Sequence, residues 1–243
     1  ALVGSILLIG ASLDVLTFFL FLLVVSRLYD PLQGALQNLA AVISTRTNIA
    51  RMNEILDHPI QQGDTVIVNG AGPIGLMFAR LAVLRGGKVI VSDMKENRLE
   101  TARKLGVWKT VNLTGVEDAV AALCAETENE RGADVVIEAT GLIGGWETSV
   151  QMARKGGFIL LFGGTKGGSV LHVDATLLHY SQVTIKGVFH TTPLHVMKAL
   201  ELLKMGVISS DDFIQNEYPL QELETAILEH AEGKVIKNCI IYD

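Results

Sequence analysis

The stretch GDTVIVNGAGPIG, residues 63–75, determines the fold of the chain around it. It joins a short apolar segment, DTVIVN, to a glycine-rich turn, after which a helical pattern begins at Pro73. Gly70, Gly72 and Gly75 have the spacing G-x-G-x-x-G between this predicted strand and helix. In that arrangement the first glycine permits a tight turn, the second lets the backbone approach a pyrophosphate, and the third allows close helix packing. The free N–H groups at the start of the helix suit a bound anion.

Predicted strands and helices alternate after this turn. The strands are KVIVSD, KTVNL, DVVIEATG and GFILLFGG; the helices are ENRLETARKLG, VEDAVAALCAETE and a stretch around WETSVQMARKG. This alternation predicts an α/β fold, a Rossmann doubly wound parallel sheet. The strands are rich in Val and Ile with little alternation, which indicates that helices cover both faces of the sheet.

Asp93 stands at the end of the second predicted strand, eighteen residues after Gly75. A carboxylate at this place accepts hydrogen bonds from the adenosine ribose hydroxyls and repels a 2′-phosphate, so it predicts NAD rather than NADP. The neighbouring cations Lys95 and Arg98 would weaken that preference. Asp93 is also a candidate N-cap for the helix that follows.

The composition excludes several classes of protein. A chain of 243 residues allows one or two domains. Its net charge of −6 argues against a nucleic-acid partner, because such a protein needs a basic surface. The two cysteines, Cys124 and Cys239, match no zinc-ligand spacing and no disulfide framework, which favours a reducing compartment.

The amino end of the chain has a different pattern. Residues 1–26 carry a single charge, Asp14, and are long enough to cross a bilayer, which takes about 20 residues. An amphipathic helical run follows, and its basic residues place the following side in the cytoplasm: Arg27, Arg46 and Arg51. The sequence therefore predicts a helical, membrane-attached segment over 1–58 and a cytoplasmic Rossmann domain over 59–243. A buried hairpin of a soluble helical protein is the alternative for the amino-terminal part.

Residues 1–58 resemble the last transmembrane helix and cytoplasmic extension of an ABC exporter permease. The residues that carry the resemblance are FFLFLLVVSRLYDPLQGALQNLAAVISTRTNIARMNEILDHP. An ATPase domain follows in that family, but no G-x-x-x-x-G-K-[ST] occurs in this chain, and FGGTKGG at 162–168 lacks the spacing. The chain alone therefore does not encode an ATP-driven transporter, and LDHPIQQGDT is interpreted as a junction between two unrelated fragments.

Residues 60–243 resemble the coenzyme domain of the medium-chain, zinc-type alcohol dehydrogenases. The match continues after the glycine turn with GADVVIEATG, GGFILLFGG and LHYSQVTIKGVFHTTP. The last of these segments favours a resemblance to the sorbitol, threonine and related polyol dehydrogenases within the family. The resemblance implies an oxidoreductase that transfers a hydride between a secondary alcohol and NAD. It implies these cofactor-binding positions: Gly70, Gly72, Pro73, Ile74, Gly75, Asp93, Arg98, Thr140, Gly141, Phe162, Gly163, Val188, Phe189 and Lys237.

The resemblance also implies a role for each group of positions. Gly70–Gly75 would hold the pyrophosphate, Asp93 the adenosine ribose and Arg98 the adenine. Thr140–Gly141 would close the fourth strand, where the chain passes the cofactor, and Phe162–Gly163 and Val188–Phe189 would meet the nicotinamide. Lys237 is either a basic residue near the pyrophosphate or a surface lysine. His190 lies toward the nicotinamide end and is either structural or catalytic.

Zinc-type members hold their catalytic metal in a domain that precedes the coenzyme domain. The ligands expected there are not found in this sequence: no G-H-E occurs, and four clustered histidines lack helical i, i+4 ligand spacing with a Cys or Glu, namely His172, His179, His190 and His195. We therefore assign no metal or catalytic residue and expect this chain alone to be inactive. An alcohol or polyol would be a substrate only with a catalytic domain supplied. The alternative function is a membrane-anchored permease fragment fused to a non-catalytic dinucleotide-binding domain, and homo-oligomerisation through the Rossmann domain is also expected.

Overall fold

The computed structural model of the chain describes residues 14, 16–20, 23, 60–189 and 191–241. The chain divides into two units between Asp57 and His58. All the labelled helices and strands below belong to the second unit, and each unit is described by itself.

The second unit is built on a six-stranded sheet. Its strands are β1 (Thr65–Asn69), β2 (Lys88–Asp93), β3 (Lys109–Asn112), β4 (Ala133–Glu138), β5 (Ala153–Leu161) and β6 (Thr184–Gly187). They lie in the order β3-β2-β1-β4-β5-β6, and every neighbouring pair is parallel. The helices are α1 (Pro73–Leu84), α2 (Glu96–Lys104), α3 (Ala119–Cys124), α4 (Ile143–Gln151), α5 (Ala175–Tyr180) and α6 (Pro193–Lys204). The predicted doubly wound Rossmann sheet is thereby confirmed.

Two hydrophobic clusters pack against the sheet. Val66 and Val68 belong to one cluster, and Ile67, between them, belongs to the other. Because successive side chains of a strand point to opposite faces, these memberships place one cluster on each face. All five residues of β1 are buried, as its unbroken apolar sequence predicted.

The strand order reverses between β1 and β4. The chain leaves β1 toward β2 on one side, whereas β4 pairs with the opposite edge of β1. In an open parallel sheet such a switch point opens a crevice at the carboxyl ends of the strands, where ligands bind. The glycine turn after β1 and the loops after β4 and β5 are therefore the parts of the fold that form a site.

A smaller sheet follows at the carboxyl end. β7 (Ile214–Pro219) and β8 (Lys237–Ile241) pair in parallel, and α7 (Leu223–Ala231) connects them. Phe213 and Ile236, directly before these strands, are buried in the cluster that contains Val66. This part therefore packs on the Rossmann unit through one of its two cores.

Two predicted helices are shorter than the sequence pattern suggested. α3 begins at Ala119, where the Asp118 carboxylate accepts a hydrogen bond from the Ala121 N–H at 2.9 Å. The helix predicted around WETSVQMARKG ends at Gln151, so its continuation through residue 156 was wrong. β5 begins at Ala153 because that residue pairs with Ala133 in β4, a contact between distant parts of the chain.

The predicted membrane segment over 1–26 falls mostly outside the described residues. Residues 16–20 are helical. Within the described part of the chain, no helix has both the length and the apolar character that a membrane span requires. The helical domain over 1–58 and its membrane attachment therefore stay predictions.

Candidate dinucleotide-binding site

Two glycines of the turn after β1 leave no room for a side chain. Gly70 has a φ of +106°, and a Cβ there would lie 3.0 Å from Thr140 Cγ2. A Cβ on Gly75 would fall inside the contact radius of the Gly70 carbonyl oxygen. The local structure therefore requires two of the three glycines. Gly70 is needed because its backbone is left-handed, and Gly75 is needed because α1 approaches the turn closely.

The middle glycine has the opposite surroundings. Gly72 is the N-cap of α1, with φ −67° and ψ 176°, and no atom lies within 4 Å of the position its Cβ would take. It has no side chain to cap the helix, and Pro73 occupies the first turn. The backbone therefore borders open space at the positive end of a helix, which is where an anion such as a pyrophosphate fits.

Asp93 connects the end of β2 to the glycine turn. Its Oδ2 accepts a hydrogen bond from the Ala71 N–H at 2.8 Å, and its Oδ1 accepts one from the Lys95 N–H at 2.9 Å. Arg98 Nη1 lies 3.5 Å from Oδ2. The N-cap of α2 is Lys95, so the alternative interpretation of Asp93 as that cap was wrong. Each carboxylate oxygen has a further lone pair for a ribose hydroxyl.

The turn between α7 and β8 packs against the start of α2, beside Asp93. The Lys95 ammonium donates to the Glu232 carbonyl oxygen, and Asn97 Nδ2 donates to the Lys234 carbonyl oxygen at 2.9 Å. A Cβ on Gly233 would lie 2.7 Å from Arg98 Nη2. Sequence reasoning missed this contact because its partners are more than a hundred residues apart in the chain.

A buried carboxylate organises the loop after β4. Thr140 N–H donates to Glu138 Oε1 at 2.7 Å, Gly141 N–H donates to the same oxygen at 3.1 Å, and the Thr140 hydroxyl donates to it as well. Glu138 itself is 0% exposed. Sequence reasoning missed Glu138, although an acid within the apolar strand DVVIE was the available signal.

The loop after β5 packs against the loop after β4. A Cβ on Gly163 would collide with the Gly141 nitrogen, and Trp146 Nε1 donates to the Gly163 carbonyl oxygen at 2.9 Å. The Phe162 ring packs edge-on against Phe78, with centroids 4.8 Å apart. The structure therefore brings together four predicted positions at the carboxyl ends of β4 and β5: Thr140, Gly141, Phe162 and Gly163.

The remaining predicted positions are less tightly connected to the turn. Val188 follows β6, and its N–H donates to the Leu161 carbonyl oxygen at 3.3 Å, while Phe189 is 80% exposed. Ile74 is partly exposed on the first turn of α1. Lys237 is exposed and begins β8, in the second sheet. Their contacts with a cofactor stay predictions, and His190 lies outside the described residues.

The comparison with known proteins agrees with this geometry. Residues 73–205, more than half of the chain, match the family described as zinc-binding dehydrogenase. The chain belongs to this family. It is 27% identical to sorbitol dehydrogenase from Bacillus subtilis over 69% of the chain and 47% of that protein. It is 31% identical to a probable D-xylulose reductase A from Aspergillus clavatus over 74% of the chain and 51% of that protein.

A solved zinc-binding dehydrogenase supports the same assignment. The crystal structure of one such protein from Sinorhizobium meliloti, bound to NADP, aligns with a TM-score of 0.66 and 27% identity. The alignment covers 71% of this chain and 51% of that one. The Rossmann unit is therefore the dinucleotide-binding part of a zinc-binding dehydrogenase, and the chain spans about half the length of the curated relatives it matches.

The family name implies zinc, for which the described residues supply no site. Within the ranges that the structure describes, no group of three or more His, Cys, Asp or Glu side chains could hold a metal ion. Cys124 ends α3, where burial raises the pKa of its thiol and so disfavours the thiolate that zinc requires. We derive no step of a reaction through zinc from these residues.

Proposed function

We propose that this chain binds NAD in preference to NADP and serves as the coenzyme half of an alcohol or polyol dehydrogenase. The observation that carries the proposal is the open space beside Gly72, between two glycines that are closely packed. A turn that served only to connect β1 and α1 would not need a glycine at that middle position.

The preference for NAD rests on the end of β2. Asp93 would accept hydrogen bonds from the adenosine ribose, and its negative charge would repel a 2′-phosphate. Arg98, 3.5 Å from this carboxylate, reduces the repulsion. A relative is bound to NADP in its crystal structure, so membership of the family does not by itself favour NAD, and the balance at Asp93 becomes the deciding feature.

The proposed chemistry is hydride transfer between the nicotinamide ring and the carbon that bears the hydroxyl of a secondary alcohol. The described residues would bind and orient the dinucleotide: the glycine turn its pyrophosphate, Asp93 its adenosine, and the loops after β4, β5 and β6 its nicotinamide half. Alcohol or polyol as substrate, and oligomer formation through this unit, remain parts of the proposal.

The competing hypothesis of a permease fragment rests on residues 1–58. The described residues and these relatives give it no support, so we do not propose it.

Titration of the full chain with NADH and with NADPH, followed by nucleotide fluorescence, tests the proposal. We expect NADH to bind more tightly, and Gly72→Val to weaken NADH binding by about tenfold or more, a loss of ~1.4 kcal/mol, because its side chain would fill the open space. Val is a poorer N-cap than Gly. Asp118→Ala, which removes the N-cap of α3, controls for that effect and should leave NADH affinity unchanged. Equal NADH affinity in the wild type and Gly72→Val would refute the proposal.

A further inference from the structure

Burial of the Glu138 carboxylate costs free energy. It is 0% exposed at the carboxyl end of a central strand. Its Oε1 accepts three hydrogen bonds, whereas its Oε2 is buried and meets no hydrogen-bond donor in the described part of the chain. A buried carboxylate with one unsatisfied oxygen lowers stability, so a purely structural loop would be better served by a neutral acceptor.

The groups that Glu138 holds all belong to the crevice. Thr140 and Gly141 form the loop after β4, directly beside the switch point between β1 and β4. The Thr140 hydroxyl donates to Glu138 and also accepts a hydrogen bond from the Leu142 N–H at 3.1 Å, so a single carboxylate organises the whole loop. Thr140 is exposed although its anchor is fully buried.

The same carboxylate also determines how the neighbouring loops pack. A Cβ on Gly163, after β5, would lie 2.7 Å from Glu138 Oε2, and a Cβ on Gly145, in α4, would lie 3.1 Å from Oε1. Across the switch point, Thr140 Cγ2 lies 3.0 Å from the position of a Cβ on Gly70. Glu138 is thus the centre of a contact between the glycine turn and the loops after β4 and β5.

We propose that Glu138 is a positioning residue for the dinucleotide, which holds the Thr140–Gly141 loop in the shape that receives its nicotinamide half. The proposal rests on the function proposed above. In a doubly wound sheet the adenosine half binds over β1, β2 and β3, and the other half binds over β4, β5 and β6. Loss of the Glu138 contacts should therefore affect one half of the ligand and spare the other.

Two variants of the full chain test this role. Glu138→Gln keeps an oxygen for the three donors but replaces charge-assisted hydrogen bonds by neutral ones, which are about half as strong. Glu138→Met removes the acceptor. We expect NADH affinity to fall in the order wild type, Gln, Met, by about tenfold or more for Met, while the affinity for AMP, which lacks the nicotinamide half, stays within about twofold of wild type.

Asp134→Asn is the matched control. Asp134 is a buried carboxylate on the same strand, at the opposite end from the crevice, and it too accepts a backbone hydrogen bond. This variant should lower stability against urea without changing the ratio of NADH to AMP affinity. A merely structural Glu138 would weaken both ligands equally or neither, and either result would overturn the proposal. Absence of NADH binding to the wild type would instead refute the proposed function.

Discussion

At the scale of single residues, Asp93 has two roles in one carboxylate. It fixes the glycine turn by accepting the Ala71 N–H, and it presents a negative charge where the adenosine ribose is expected. Arg98 and Lys95 flank it, the first as an ion pair and the second held by the Glu232 carbonyl oxygen. Under the proposed function, cofactor choice would therefore depend on one acid surrounded by two cations.

Substitution of Asp93 by serine should shift this balance. Asp93→Ser removes the repulsion toward a 2′-phosphate and leaves both cations in place. We expect the preference for NADH over NADPH to fall by roughly 1–3 kcal/mol, the scale of hydrogen bonds to charged groups. Dissociation constants for the two cofactors, measured by fluorescence titration, give the change.

A charge-matched control tests whether the loss of a negative charge elsewhere on the surface changes the cofactor preference in the same way. Glu100→Gln removes one negative charge from the exposed side of α2 and should leave the cofactor preference unchanged. If the wild type binds NADPH as tightly as NADH, Asp93 serves only to hold the turn.

Local sequence was sufficient for part of this site. The spacing of Gly70, Gly72 and Gly75 and the distance to Asp93 are properties of one continuous segment, so they could be predicted. Glu138 could not be assigned, because its significance depends on a loop that packs against Gly163, from another strand. Its burial is a property of the folded sheet.

At the scale of the elements, one carboxylate connects three strands at the amino end of the sheet, through a hydrogen bond to one neighbour and an ion pair with the other. Asp134 in β4 accepts a hydrogen bond from the Thr65 N–H of β1 at 2.8 Å and is bound by the Arg154 guanidinium of β5. The sequence pattern placed Arg154 in a helix. The pairing of Ala153 with Ala133, which local propensity does not encode, places it in a strand instead.

This ion pair should make stability depend on pH. Burial alone would raise the pKa of Asp134, but the hydrogen bonds from Arg154 and Thr65, together with the positive charges of Arg154 and Arg131, outweigh burial and hold that pKa below its usual value. A carboxyl whose pKa falls on folding stabilises the protein above its unfolded pKa of ~3.9 and loses that contribution as the pH falls through the folded pKa. Asp134→Asn should therefore lower the free energy of unfolding at pH 7 by ~1–3 kcal/mol and by less near pH 3.

Urea unfolding of the wild type and the variant at both pH values measures this difference. Asp118→Asn is the control, because Asn is an equally good N-cap and the substitution should change stability little at either pH. A difference between wild type and Asp134→Asn that is the same at pH 7 and pH 3 would show that the charge of Asp134 does not contribute.

At the scale of the whole molecule, the carboxyl-terminal part completes the Rossmann unit. Phe213 and Ile236 enter the same hydrophobic cluster as Val66, and the turn around Gly233 contacts the start of α2. The alternation of strands and helices predicted the doubly wound parallel sheet and five of its six strands, whereas β6 was not predicted. The second sheet and its contacts were not predicted, because they depend on pairs of residues that are far apart in the sequence.

The distribution of core residues predicts that residues 58–243 fold without the preceding segment. Among the described residues, the side chains of both clusters all lie between Ile60 and Ile236, so we expect both clusters to persist when residues 1–57 are removed. We expect the 58–243 fragment to unfold cooperatively in urea and to bind NADH as tightly as the full chain. A fragment that ends at Ile208 loses Phe213 and Ile236 from the core, so it should be less stable and bind AMP more weakly. If 58–243 is unfolded, or if the shorter fragment matches it in both measurements, the carboxyl-terminal part does not have this role.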